Sequence, residues 1–309
     1  MANVKHKLSH KIFHSKILLF GEHIINKGAM GLAAPLHKYD GVFRYGNVKD
    51  KAVSVSNKSL ESLANYIVHT EALSDLYDTN AFLEDIENGL YFDSTIPQGY
   101  GLGSSGALVA AVYYQYRKNR KKNYVVSEVK RELAELESFY HGKSSGLDAI
   151  VCYLGKAVLV DKGEVTKAFD LQKGKNAVLK LFLINTHIER KTSPFVNLFL
   201  EKCKDKKFLH TVQKSLVPST NIAIESFLNR KYADLWKSVQ IISQLQLDLM
   251  PEFIPKQFVQ LWMNGLKNQQ YSLKICGAGG GGFIIGLAKA DADLHTLLGA
   301  QDVIELMEF

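Results

Sequence analysis

Apolar positions in this chain fall into short runs near its two ends and into helical spacings between them. Within Lys11 to Phe20, the residues Ile12, Phe13, Ile17, Leu18, Leu19 and Phe20 end at Gly21, the pattern of a strand that opens into a loop at Gly21-Glu22-His23. Short β-like pieces follow at Val42 to Tyr45 and Ala52 to Val55, then a helical segment over about 57–76. Ala107 to Tyr114 has no Gly or Pro and predicts a largely buried helix. A second helix runs from about Ser127, as N-cap, to Tyr140, with Val129, Leu133, Leu136 and Tyr140 on its apolar face and Glu137 at the border of that face. Lys156 to Asp161 and Val165 to Phe169 read as a hairpin about Lys162-Gly163, and Ala177 to Asn185 as a strand. Helices dominate from Pro194 to Leu266, followed by strand-like Leu273 to Cys276 and Phe283 to Leu287. This irregular succession, with hairpin signals and no regular βα repeat, predicts an α+β fold. The polar patch Gln172 to Asn176 places a boundary between domains 1–176 and 177–309.

The segment Pro97 to Ala107, PQGYGLGSSGA, stands directly before the first buried helix. Gly99, Gly101 and Gly103 allow positive φ and a close backbone approach, so that successive N–H groups converge on an anion. The positive end of the following helix faces the same anion. Ser104 and Ser105 stand at the junction, where a hydroxyl either caps the helix or ligates a phosphate-bound Mg²⁺. Ala107 occupies the place where a Walker A loop needs Lys, so a nucleotide here is held by another architecture.

At 309 residues, 46% hydrophobic and 22% charged, the chain is of ordinary globular composition. No apolar run has the length of a bilayer-spanning helix, and residues 1–16 lack the apolar core of a secretory signal, so the expected compartment is the cytoplasm and no membrane partner is expected. Three widely spaced cysteines support neither a disulfide framework nor a cysteine zinc site. The net charge of +7 suits a polyanion, but the basic runs Arg117 to Lys122 and Lys202 to Lys207 lack interleaved aromatics, which argues against nucleic acid.

Three further stretches carry candidate chemistry: Lys16-Ile-Leu-Leu-Phe-Gly-Glu-His23 with Gly28 beyond it, His141-Gly-Lys-Ser-Ser-Gly-Leu-Asp148, and Lys274-Ile-Cys-Gly-Ala-Gly-Gly-Gly-Gly-Phe283. Gly142, Ser144 and Gly146 also spell the hydrolase elbow G-x-S-x-G, but a helix precedes them where that motif needs a strand. Gly277, Gly279 and Gly282 spell a dinucleotide fingerprint, but a strand-like run follows where a helix is required.

Together with the glycine–serine loop, these stretches resemble, in order, the motifs of the GHMP kinases, and among them those of the mevalonate kinases. The loop resembles P-x-x-x-G-L-G-S-S-A-A, with Gly106 replacing the first Ala. The 141–148 segment resembles H-G-x-x-S-G-x-D, departing at Lys143, where Asn is common, and at Ser144, where Pro is common. The resemblance implies a two-domain GHMP kinase fold with a ferredoxin-like C-terminal domain, and ATP-dependent phosphorylation of a small-molecule alcohol, (R)-mevalonate above others. Phosphomevalonate kinase, another GHMP kinase acting on a sugar or homoserine, and a catalytically silent ligand-binding member are the alternatives. It implies ATP and Mg²⁺ as cofactors. Pro97, Gly99, Gly101, Leu102, Gly103, Ser104, Ser105 and Gly106 would hold the nucleotide, Ser105 and Glu137 the metal. Asp148 and Lys16 would be catalytic; Glu22, His23, Thr192 and Gly279 would face the acceptor, with Arg190 near Thr192. The implied partner is a small molecule, and the implied state a monomer or homodimer.

Overall fold

The computed structural model of the protein describes residues 8–120, 124–171, 174, 177–189 and 192–309; of Thr192 and Ser193 it gives the backbone alone. In chain order the strands and helices are β1 (Phe13–Phe20), β2 (Gly31–Tyr45), α1 (Lys51–His69), α2 (Glu71–Ser74), α3 (Thr79–Glu87), β3 (Leu90–Ser94), α4 (Ser104–Tyr116), α5 (Val126–His141), α6 (Leu147–Leu154), β4 (Ala157–Asp161), β5 (Glu164–Phe169) and β6 (Leu179–Asn185). There follow α7 (Thr192–Lys202), α8 (Lys206–Thr211), α9 (Val217–Leu228), α10 (Tyr232–Leu249), α11 (Val259–Asn268), β7 (Tyr271–Ile275), β8 (Phe283–Lys289), α12 (Leu294–Leu298) and β9 (Asp302–Glu308). Helices and antiparallel sheets thus coexist, as the α+β expectation has it.

Packing divides the chain into two compact units, and no single cut separates them. The first takes the chain up to Lys16, Pro35–Pro97 and Leu102–Lys156; the second takes Ile17–Ala34, Gln98–Gly101 and Ala157–Phe309. The sequence places its boundary at residue 176, whereas the last passage of the chain between units comes after Lys156. Of the polar patch used for that boundary, residues 172, 173, 175 and 176 lie outside the described residues.

In the first unit, β3 pairs antiparallel with the end of β2, from Gly41 opposite Ser94 to Tyr45 opposite Leu90. An added Cβ at Gly41 would meet the Phe92 ring at 2.3 Å, so any side chain there would have to displace that ring. Helix α4 is buried nearly all round, through Ala107, Val109, Ala110, Ala111 and Val112, and packs against α5 and α6. A helix apolar on every face is stable only in such a position.

Two local expectations are corrected. Ala52 to Val55 lies inside α1, not in a strand: Val53, Leu60, Leu63, Ala64 and Ile67 are buried at helical spacing, and an amphipathic period sustained over 19 residues outweighs four alternating ones. Ser127 lies within α5, whose N-cap is Val125.

In the second unit, Gly31, Leu32 and Ala33 of β2 pair with β4, and β4 pairs with β5 about Lys162-Gly163, both at positive φ, as the turn chemistry requires. A four-stranded antiparallel sheet runs in the order β7-β8-β6-β9. Helices α7 to α11 lie between β6 and β7 in sequence, and α12 between β8 and β9. Helix α10 packs on α9 and against β7. No helix among the described residues is long and apolar enough to cross a membrane.

Candidate active site

Lys16, on β1, is the last residue of its stretch of the first unit, and its N–H donates to the Leu102 carbonyl at 2.9 Å. Its side chain passes over Gly103 so closely that a Cβ at 103 would lie 2.8 Å from Lys16 Cγ. Gly103 also sits at φ 72°, left-handed backbone that glycine adopts without strain. The loop thus needs glycine at this position twice over. Beyond it, Lys16 Nζ lies 2.9 Å from Asp148 Oδ2, with the lysine side chain 6% and the aspartate 37% exposed.

Asp148 stands in the first turn of α6, where the helix dipole favours a negative charge. Gly106 brings that turn against α4: an added Cβ would lie 2.9 Å from the Asp148 carbonyl carbon and 2.9 Å from the Ala149 nitrogen. The replacement of Ala by Gly at 106 therefore has a physical reason, a close approach of the two helix starts. Helix α4 opens after Gly103 without a side-chain cap, so its first N–H groups have no partner from within the helix. One turn beyond Asp148, Cys152 is sealed, its thiol pushed well up by burial, which disqualifies it as a nucleophile.

Glu137, read as a border residue of α5, is 2% exposed. Ser144 Oγ donates to its Oε2 at 2.5 Å and Ser105 Oγ to its Oε1 at 3.3 Å. Ser105 Oγ also lies 3.0 Å from His141 Nε2. Burial, and after it the negative charge of Asp148, pushes the Glu137 carboxyl up to about 7, against the opposing pull of Ser144, Lys16 and Ser105. A buried carboxylate in this state gains from a cation.

The donor set fits Mg²⁺: hard oxygens, one hydroxyl and one carboxylate, 3.3 Å apart. Neighbouring ligands of an octahedral Mg²⁺ at ~2.1 Å are separated by about 3 Å. No cluster of three or more His, Cys, Asp or Glu suited to a metal occurs among the described residues, so phosphate oxygens and water would complete the shell.

In the second unit, Gly99 and Gly101 adopt φ 75° and 70°. A Cβ at Gly99 would meet Glu189 Cγ at 2.6 Å. Glu22, expected to face an acceptor, has its carboxylate 2.5 Å from Lys274 Nζ, with the two side chains 3% and 2% exposed. Lys274 Nζ also donates to the Ile275 carbonyl at 2.8 Å. His23, at φ 63°, places Nε2 3.0 Å from the Ala278 carbonyl and stacks on Phe199. Gly279 sits at φ 80°, where a Cβ would lie 2.9 Å from the Phe253 carbonyl. Thr192 opens α7 with its side chain not described, and Arg190 lies outside the described residues.

The structure therefore gathers Lys16, Gly103, Ser105, Gly106, Glu137 and Asp148 within the first unit, and Glu22, His23 and Gly279 within the second. Sequence reasoning assigned nothing to His141, Ser144 or Lys274. The signal for Lys274 was a lone charge in an otherwise apolar strand.

Residues 65–156 match the family model described as GHMP kinases N terminal domain. A mevalonate kinase of Dictyostelium discoideum is 24% identical over 169 residues, which span 52% of this chain and 42% of that protein. The crystal structure of L. major mevalonate kinase in complex with R-mevalonate superposes with a TM-score of 0.63 at 16% identity, covering 98% of this chain and 97% of that one. Lactococcus lactis galactokinase complexed with galactose gives 0.65 at 14% identity, covering 98% and 94%.

Proposed function

We propose that this chain is a GHMP kinase that transfers the γ-phosphoryl group of ATP to a small-molecule alcohol, (R)-mevalonate first among them, a reading supported by the family match over residues 65–156 and by the likeness of fold. The observation that carries the reading is the Lys16–Asp148 pair, 2.9 Å apart, beside a glycine-bounded helix start and the Ser105–Glu137 oxygens. Phosphoryl transfer needs positioning and charge compensation more than covalent chemistry from the protein, and this arrangement supplies both.

Pro97, the glycines from Gly99 to Gly103, Leu102, Ser104, Ser105 and Gly106 would form the loop that receives the triphosphate, with the N–H groups at the start of α4, which has no side-chain cap, available to donate to anionic oxygen. Ser105 and Glu137 would hold Mg²⁺, which when bound neutralises phosphate charge. Asp148 accepts a hydrogen bond from the acceptor hydroxyl and orients it for attack; its proton leaves late, because a carboxylate is a weak base toward an alcohol. Lys16 offsets the charge on the transferring group. His23, Glu22, Thr192 and Gly279 serve the acceptor, Glu22 acting through the turn that carries His23, since its own carboxylate is committed to Lys274. The strand order β7-β8-β6-β9 supports reading the second sheet as ferredoxin-like.

An ADP-release assay against mevalonate, phosphomevalonate, homoserine and galactose tests this. ADP release strongest with mevalonate is expected; none with any of the four alcohols overturns the kinase reading.

A further inference from the structure

Ser144 occupies the one position of the 141–148 segment where the GHMP pattern commonly has proline, and proline has neither a hydroxyl nor a backbone N–H. In this chain both groups are used. The Ser144 N–H donates to Ser138 Oγ at 3.2 Å, and Ser138 Oγ in turn donates to the Ala134 carbonyl at 2.7 Å, so the segment is tied back onto α5. Ser144 Oγ accepts from the Gly146 N–H at 3.0 Å and lies 2.5 Å from Glu137 Oε2.

A hydroxyl carries one proton. Because the Gly146 N–H already points at the Ser144 oxygen, that proton is directed to Glu137. The two carboxylate oxygens are thereby distinguished: Oε2 is committed to Ser144, and Oε1 is turned to the Ser105 side at 3.3 Å. Gly146 is also the N-cap of α6, at φ 71°, two residues before Asp148. One serine side chain thus ties the buried carboxylate to the start of the helix that carries the aspartate.

We infer that Ser144 is a positioning residue for Glu137, fixing the rotamer that presents Oε1 to a divalent cation, a role that the proline common at this place does not fill. The inference rests on the proposed role of Glu137 as a metal ligand. Partners that orient a metal-binding side chain are typically worth about 10- to 100-fold in metal affinity.

The test is Mn²⁺ binding to the ADP-loaded protein, read by electron paramagnetic resonance of the free ion, in wild type, Ser144→Ala, Ser144→Thr and Glu137→Gln. ADP affinity in EDTA is measured alongside. Ser144→Ala is expected to weaken Mn²⁺ binding about tenfold while metal-free ADP affinity stays at the wild-type value, and Ser144→Thr, which keeps the hydroxyl, to restore most of the loss. Mn²⁺ affinity in Ser144→Ala within about twofold of wild type, with Glu137→Gln impaired, overturns the role of Ser144 and leaves Glu137 as ligand. Equal loss of Mn²⁺ and metal-free ADP binding in Ser144→Ala means that the serine acts on the fold, and overturns it too. Unchanged Mn²⁺ binding in Glu137→Gln removes the metal-ligand reading itself, and the inference with it.

Discussion

Among the described residues, each compact unit contains one close lysine–carboxylate pair whose lysine is buried, and the two differ in the exposure of the carboxylate. Lys16 and Asp148 meet at 2.9 Å with the carboxylate 37% exposed, whereas Lys274 and Glu22 meet at 2.5 Å with both side chains 3% exposed or less. A half-open carboxylate can accept a hydrogen bond from an incoming hydroxyl. A sealed one is occupied, and its loss leaves a buried charge uncompensated. The comparison separates a pair suited to chemistry from a pair suited to holding a turn in place.

The sharpest way to break the comparison is to remove one cation from each pair. Lys274→Met should cost about 3–5 kcal/mol in denaturant unfolding, because Glu22 remains buried without it, and adding Glu22→Gln should recover most of that loss. Lys16→Met should barely move the unfolding midpoint, since solvent reaches Asp148, but should lower kcat by about 10²- to 10³-fold. Equal destabilisation by the two lysine substitutions would erase the distinction. A smaller effect is expected from Gly106→Ala: its Cβ forces apart the backbones of α4 and α6 near Asp148, so kcat should fall roughly ten- to a hundredfold and stability by about 1–3 kcal/mol.

The smallest effect is on pH dependence in EDTA. The Glu137 carboxyl is raised from 4.5 to about 7, so the folded state holds a proton that the unfolded chain has released. Its contribution to stability is full below about pH 4.5 and is lost as pH rises through about 7. Glu137→Gln should flatten that part of the stability–pH curve; an unaltered slope would show that the carboxylate is not held in this state.

Much of the first site was legible because its information is local. The glycines and serines of 99–106 and the spacing of Glu137 on α5 declare backbone freedom and a helix face without any distant contact. The meeting of Lys16 with Asp148 was not local, and only the resemblance anticipated it; periodicity cannot bring together residues 132 apart in sequence. Burial of Glu22 escaped for the same reason, since its partner lies 252 residues away. Glu137 appeared as a border residue because α6 and the 142–146 segment, which cover it, lie outside the helix pattern used to place it. Strand β2 was only partly recognised, because Pro35 and the polar run His37-Lys38 interrupt its alternation while β4 and β3 pair with its two ends.

The central claim is that Asp148 acts on an alcohol at the phosphate-receiving loop. It is tested most directly by following phosphoryl transfer from γ-labelled ATP to mevalonate in wild type and in Asp148→Asn, with the ATP dissociation constant measured in both. The account predicts labelled phosphomevalonate from wild type, a fall of about 10²- to 10⁴-fold in the rate for the variant, and equal ATP affinity. A variant that retains most of the wild-type rate would contradict it.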